Sequence, residues 1–159
     1  MLFIYPDFEV TRMITTFLFD LDGTLLPMDQ DAFLKAYMGS LAAKMLPHDY
    51  NPDLLIKSIW QGTGAMVKND GSRSNEEVFW ETFCTHYGKD VRADEAIFLD
   101  FYRNEFQLVQ KSCGFDSRAG IVIDTLKKEG IRIILATNPL FPAVATQSRV
   151  RWAGLNPQD

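Results

Sequence analysis

Asp20 and Asp22 are the two residues of this chain best placed to do chemistry together. They stand one residue apart in Asp20-Leu21-Asp22-Gly23-Thr24-Leu25, directly after the apolar, β-forming residues 14–19. On a strand, residues i and i+2 point the same way. Both carboxylates can therefore share one site at the strand's carboxyl end. Gly23 allows a sharp backbone turn there, and Thr24 brings a hydroxyl and a backbone N–H beside the acids. Two close carboxylates repel, so a bound cation or one raised pKa must compensate. Oxygen ligands of this kind suit Mg²⁺, which takes one or two carboxylates together with a substrate phosphate. One Asp can then stay ionised and attack while the other handles a proton. Asp and Gly are also ordinary turn residues; the strand before them and Thr24-Leu25 after them favour the chemical reading.

A second candidate lies far downstream. Ile131-Arg132-Ile133-Ile134-Leu135-Ala136 is a near-continuous apolar strand of the kind buried on both faces of a parallel sheet. It ends in Thr137-Asn138-Pro139. Ligands of parallel sheets sit at the carboxyl ends of strands, where a hydroxyl and nearby backbone N–H groups suit the charged oxygens of a transferring phosphoryl group.

Together these stretches resemble the first two signature motifs of the haloacid dehalogenase-like hydrolase superfamily. The resemblance implies that Asp20 is the nucleophile, forming an aspartyl-phosphate, and that Asp22 is the general acid/base. It implies that Mg²⁺ is held by the Asp20 carboxylate, the Asp22 backbone carbonyl and a later acid. It also implies that Thr137, with the backbone at Leu21, Asp22 and Asn138, holds the phosphoryl oxygens. The family's dehalogenase branch lacks the second Asp, so Asp22 points to phosphate chemistry. The implied activity is hydrolysis of a small phosphorylated metabolite; a phosphomutase shares the aspartyl-phosphate step. A receiver-like signalling module also uses Mg²⁺ and a phospho-accepting Asp, but it does not expect helices between its first two strands.

Those helices follow from periodicity. Asp29 or Asp31 can cap a helix running to about Leu46, with Phe33, Leu34, Tyr37, Met38, Leu41 and Met45 on its apolar face. Asn51-Pro52 opens another, which Gly62 and Gly64 are expected to loosen. Ser74 and Glu77 form a capping box, and Gly88 ends that helix. A helix from about Ala93 to Val109 carries Ile97, Phe98, Phe101, Tyr102 and Phe106, aromatics that read as packing. Ile121, Val122 and Leu126 mark a helix ending at Lys127-Lys128-Glu129-Gly130. Phe141-Pro142 starts a last one through about Trp152, whose Arg149 and Arg151 are expected to face solvent, with a contact to phosphate as the lesser alternative.

The fold class expected is α/β: an incomplete Rossmann-like parallel-sheet core, residues 1–27 and 116–159, with an inserted α-helical cap, residues 28–115. Such a cap closes over a site, excludes water and selects the substrate; residues 27–30 and 114–117 would be its hinges. Residues 1–12 are either an extension ahead of Met13 or a short edge strand over residues 2–5.

Composition narrows the classes. The 159 residues suit one domain, with or without a small insertion, and 47% hydrophobic content is ample for a packed core. A net charge of −5 without a Lys/Arg cluster argues against nucleic acid as a partner. No apolar run approaches the roughly 18 residues of a membrane span, and a cytoplasmic protein is expected. Cys84 and Cys113 fit no metal spacing and read as reduced thiols; His48 and His86 are isolated.

The resemblance stops short of two further family motifs, a charge-balancing Lys and a late acidic cluster. The last Lys is Lys128, and beyond Glu129 the only acid is Asp159. The sequence thus reads as an amino-terminal fragment, either active with outside help or inactive. A two-stranded sheet with an exposed apolar edge is expected to self-associate.

Overall fold

The computed structural model describes residues 14–158. The edge strand considered for residues 2–5 lies outside them. Strand β1 spans Thr16–Phe19 and β2 spans Arg132–Leu135; they pair in parallel, with Phe17 opposite Ile133 and Phe19 opposite Leu135. Between them run helices α1 (Gln30–Met45), α2 (Pro52–Val67), α3 (Asn75–Tyr87), α4 (Glu95–Arg103) and α5 (Ser117–Lys128), and α6 (Ala143–Trp152) follows β2.

The Rossmann-like α/β core expected from the sequence is not what forms. The described residues are mostly helical, and their sheet has two strands only. The cause lies in the pattern: among the described residues two stretches carry continuous β-forming apolar residues, and the other apolar positions recur at helical spacing. Nor are the strands buried on both faces, since Leu18 is 64% exposed.

Local chemistry sets the helix boundaries. The Asp29 side chain accepts from the Ala32 amide at 2.9 Å, and Asn51 accepts from Leu54 with Pro52 behind it. Ser74 and Glu77 complete a reciprocal capping box, and Gly88 closes α3 at φ 82°. Two expectations need correction. Helix α2 runs unbroken through Gly62, because that glycine is where α3 presses in: a Cβ there would meet the Phe79 ring at 2.7 Å. The helix expected over residues 93–109 ends at Arg103. Asn104 leaves helical geometry and donates from its side chain to Asp100, and the chain continues as 3₁₀ turns over Glu105–Ser112.

The core lies where α1, α4, the 3₁₀ segment and α6 converge on Tyr37, Phe101, Phe106 and Trp152. Phe106 meets Trp152 with ring centroids 5.0 Å apart. Gln107 joins the same elements through polar contacts, donating to Ser148 Oγ and accepting from Trp152 Nε1. The two crossings between sheet and helices lie side by side: the Gly114 amide donates to the Pro27 carbonyl at 2.7 Å, and Met28 pairs with Cys113. Among the described residues no helix is long and apolar enough to cross a membrane.

Candidate active site

Residues 20–26 form a tight turn at the exit of β1. Leu26 N–H donates to the Leu21 carbonyl at 2.8 Å, and Gly23 N–H donates to the Leu26 carbonyl at 2.8 Å. Gly23 sits at φ 81°, a conformation that side-chain-bearing residues rarely adopt. Leu21, Leu25 and Leu26 are buried and anchor the turn. The turn consumes its own amides: the Thr24 N–H, expected beside the acids, donates to the Leu21 carbonyl at 3.2 Å. The Thr24 hydroxyl does face the site, donating to Asp20 Oδ2 at 3.4 Å.

Asp20 is exposed and Asp22 is half-buried. The same parallel pairing carries β2 to this end of the sheet. Ala136 N–H donates to the Phe19 carbonyl at 2.7 Å, so Thr137 and Asn138 leave β2 where Asp20 and Asp22 leave β1. Thr137 is half-buried and Asn138 exposed.

Sequence reasoning missed one residue, Arg149. It was expected to face solvent but is 1% exposed, and its Nη1 forms an ion pair with Asp22 Oδ2. Its guanidinium lies 4.3 Å from the centroid of the Phe141 ring, a cation–π stack. Arg151 is exposed, as expected. The remaining Asp22 oxygen, Oδ1, and Arg149 Nε and Nη2 are buried without a hydrogen-bond partner. Each unmet buried group costs about 1–3 kcal/mol. Burial pushes the Asp22 carboxyl above its ordinary range; Arg149 opposes that rise and the Asp20 charge adds to it. Burial likewise lowers the Arg149 pKa, against the pull of Asp22.

The donor set is compatible with Mg²⁺. Asp20 offers an exposed carboxylate and Asp22 a backbone carbonyl, hard donors of the type the ion prefers, whereas the Asp22 carboxylate is taken up by Arg149. Among the described residues no group of three or more His, Cys, Asp or Glu side chains could hold a metal. Arg149 supplies the positive charge that Asp22 has at hand.

No protein-family model, curated protein or solved structure matches this chain.

Proposed function

We infer that the chain is a magnesium-dependent phosphohydrolase of the haloacid dehalogenase-like type, acting on a small phosphate monoester. What supports this reading is one observation: in-register parallel pairing brings the ends of β1 and β2 together, with two acids on one and Thr137-Asn138 on the other. Asp20 Oδ attacks phosphorus in line, and the bond to the ester oxygen breaks. The leaving oxygen takes its proton from Asp22. Water then attacks the aspartyl-phosphate as Asp22 takes back a proton, releasing phosphate and restoring Asp20. Thr137 and the neighbouring backbone hold the phosphoryl oxygens as charge gathers on them. Asp20 and Asp22 would hold Mg²⁺, which neutralises phosphoryl charge when bound. Two free cysteines, Cys84 and Cys113, suit a reducing, cytoplasmic setting.

A second reading is an inactive relative that binds Mg²⁺ or phosphate weakly. The Arg149–Asp22 ion pair favours it, because a carboxylate held by a buried guanidinium is slow to trade protons. Turnover of p-nitrophenyl phosphate, with and without Mg²⁺, separates the two. The first reading expects Mg²⁺-dependent release of nitrophenol that falls at least about a thousandfold in Asp20→Asn. Folded protein without turnover would establish the second.

A further inference from the structure

A cavity of about 610 Å³ opens among α1, α2, α3 and α4 and is closed on one side by residues 139–143. That volume lies within the range of small-molecule sites. Its walls are chiefly aromatic and aliphatic, Leu34, Trp60, Phe79, Trp80, Phe98 and Tyr102 among them. Lys, Arg and His are absent from its lining, and the two acids that belong to it, Glu76 and Glu95, are both paired with Arg92. With no free cation to receive a charged group, an uncharged apolar one is favoured inside.

Both loops that carry the candidate active site continue into the lining of this cavity. Residues 20–29 lead into Gln30, which lines the cavity, and Thr137-Asn138 lead into Pro139, which also lines it. Asn75 at the start of α3 donates to the Pro139 carbonyl at 3.4 Å, fixing that loop to the helices. The Phe141 ring is a shared wall: it lines the cavity and also carries the Arg149 guanidinium that pairs with Asp22.

We propose that this cavity binds the alcohol portion of the substrate, and that the substrate is a phosphate monoester of an uncharged apolar alcohol, alkyl or aryl. The phosphoryl head stays at Asp20 and Thr137 while the apolar tail passes Phe141 into the helical layer. At roughly 30 Å³ per water-sized unit the space holds about twenty such units, room for a medium-length chain or a fused aromatic ring. The identity of the head group rests on the phosphohydrolase reading; binding of the tail does not.

The test has two arms on the full chain. In the first, 1-naphthol, which carries no phosphate, is titrated calorimetrically into wild type, Leu34→Phe and Thr63→Phe, each variant checked for an unchanged melt. Saturable one-to-one binding that weakens about tenfold or more in a folded variant is expected, since added rings fill the space. In the second arm, kcat/KM is measured for n-alkyl phosphates from ethyl to octyl. It should rise with chain length, by up to about fourfold per methylene, the limit for full burial, and the rise should flatten in the filled variants. Absence of saturable naphthol binding, or binding that neither variant weakens, overturns the proposal whatever the turnover. Turnover independent of chain length overturns it too. Naphthol binding without hydrolysis of any phosphate upholds the apolar site and defeats the phosphohydrolase reading instead.

Discussion

Helices α1–α4 and the sheet with α5 solve the problem of burial differently. In the helical region, Phe83 is fully buried and its ring meets Phe79, Trp80, Tyr87 and Phe98 at centroid distances of 5.5–6.2 Å. Capped ends and ion pairs finish the job, as where Lys44 of α1 reaches Asp100 of α4 at 2.6 Å and Glu105 at 2.9 Å. Leu46, Trp60, Val67 and Leu108 stay exposed at the edges of that region, whereas in the much smaller sheet region Ile14, Leu18, Ile121, Val122 and Leu135 remain exposed on the strands and α5 themselves. A helix satisfies its own backbone and needs one apolar stripe covered; a two-stranded sheet leaves both edges and much of its faces uncovered. The candidate acids sit at the boundary between these two regimes. They borrow rigidity from the helical side through α6, whose Arg149 reaches Asp22.

The contrast can be broken at four places. Phe83→Ala empties the centre of the aromatic cluster and should cost about 4 kcal/mol in urea unfolding; a loss under about 1 kcal/mol would mean the helical layer is loosely packed. Arg149→Met leaves Asp22 without its counter-charge and should cost about 3 kcal/mol. Adding Asp22→Asn should restore most of that loss, and a double variant as unstable as the single one would show that the pair is not the cause. Leu18→Lys should change stability by no more than about 0.5 kcal/mol; if copies of the chain meet through the exposed sheet face, where Leu18 is 64% exposed, the variant should sediment with less associated material than wild type. Equal sedimentation of the two would count against association through that face.

The smallest effect is electrostatic. Hydrogen bonds from the Arg118 side chain and amide hold the Asp116 carboxyl down at about 2. A folded pKa below the unfolded value stabilises the protein above the ordinary carboxylate range, and that contribution is lost as pH falls towards about 2. Unfolding midpoints followed through that window should therefore fall, and Asp116→Asn should remove this share of the fall.

What was legible in the sequence was local. Asp29, Asn51-Pro52 and Ser74–Glu77 announce helix starts because a cap is a contact over three residues, as is a turn glycine such as Gly23. The two strand segments were legible for the same reason, but the extent of the sheet was not, since two apolar runs do not say how many neighbours they have. The break at Asn104 was hidden because the aromatic period continues across it. Gly62 read as a weakness because its reason, the Phe79 ring, comes from another helix. Thr24 showed its side chain but not that its amide would be consumed by Leu21. Arg149 was the hardest case: it pairs across 127 residues, and a helical Arg at that position looks like any solvated one.

That long reach sets an order of events during synthesis. The cluster around Phe83 is built from residues 50–98 alone, whereas Phe33, Tyr37 and Phe106 also need Phe141 or Trp152, and chains fold in units from the amino-terminal side as they emerge. Asp20 and Asp22 leave the ribosome among the first described residues, yet Asp22 waits for Arg149 before its charge is answered. The aromatic cluster around Phe83 can thus form while the acids are still open to solvent, and the docking of α6 both completes the core at Trp152 and answers the charge of Asp22.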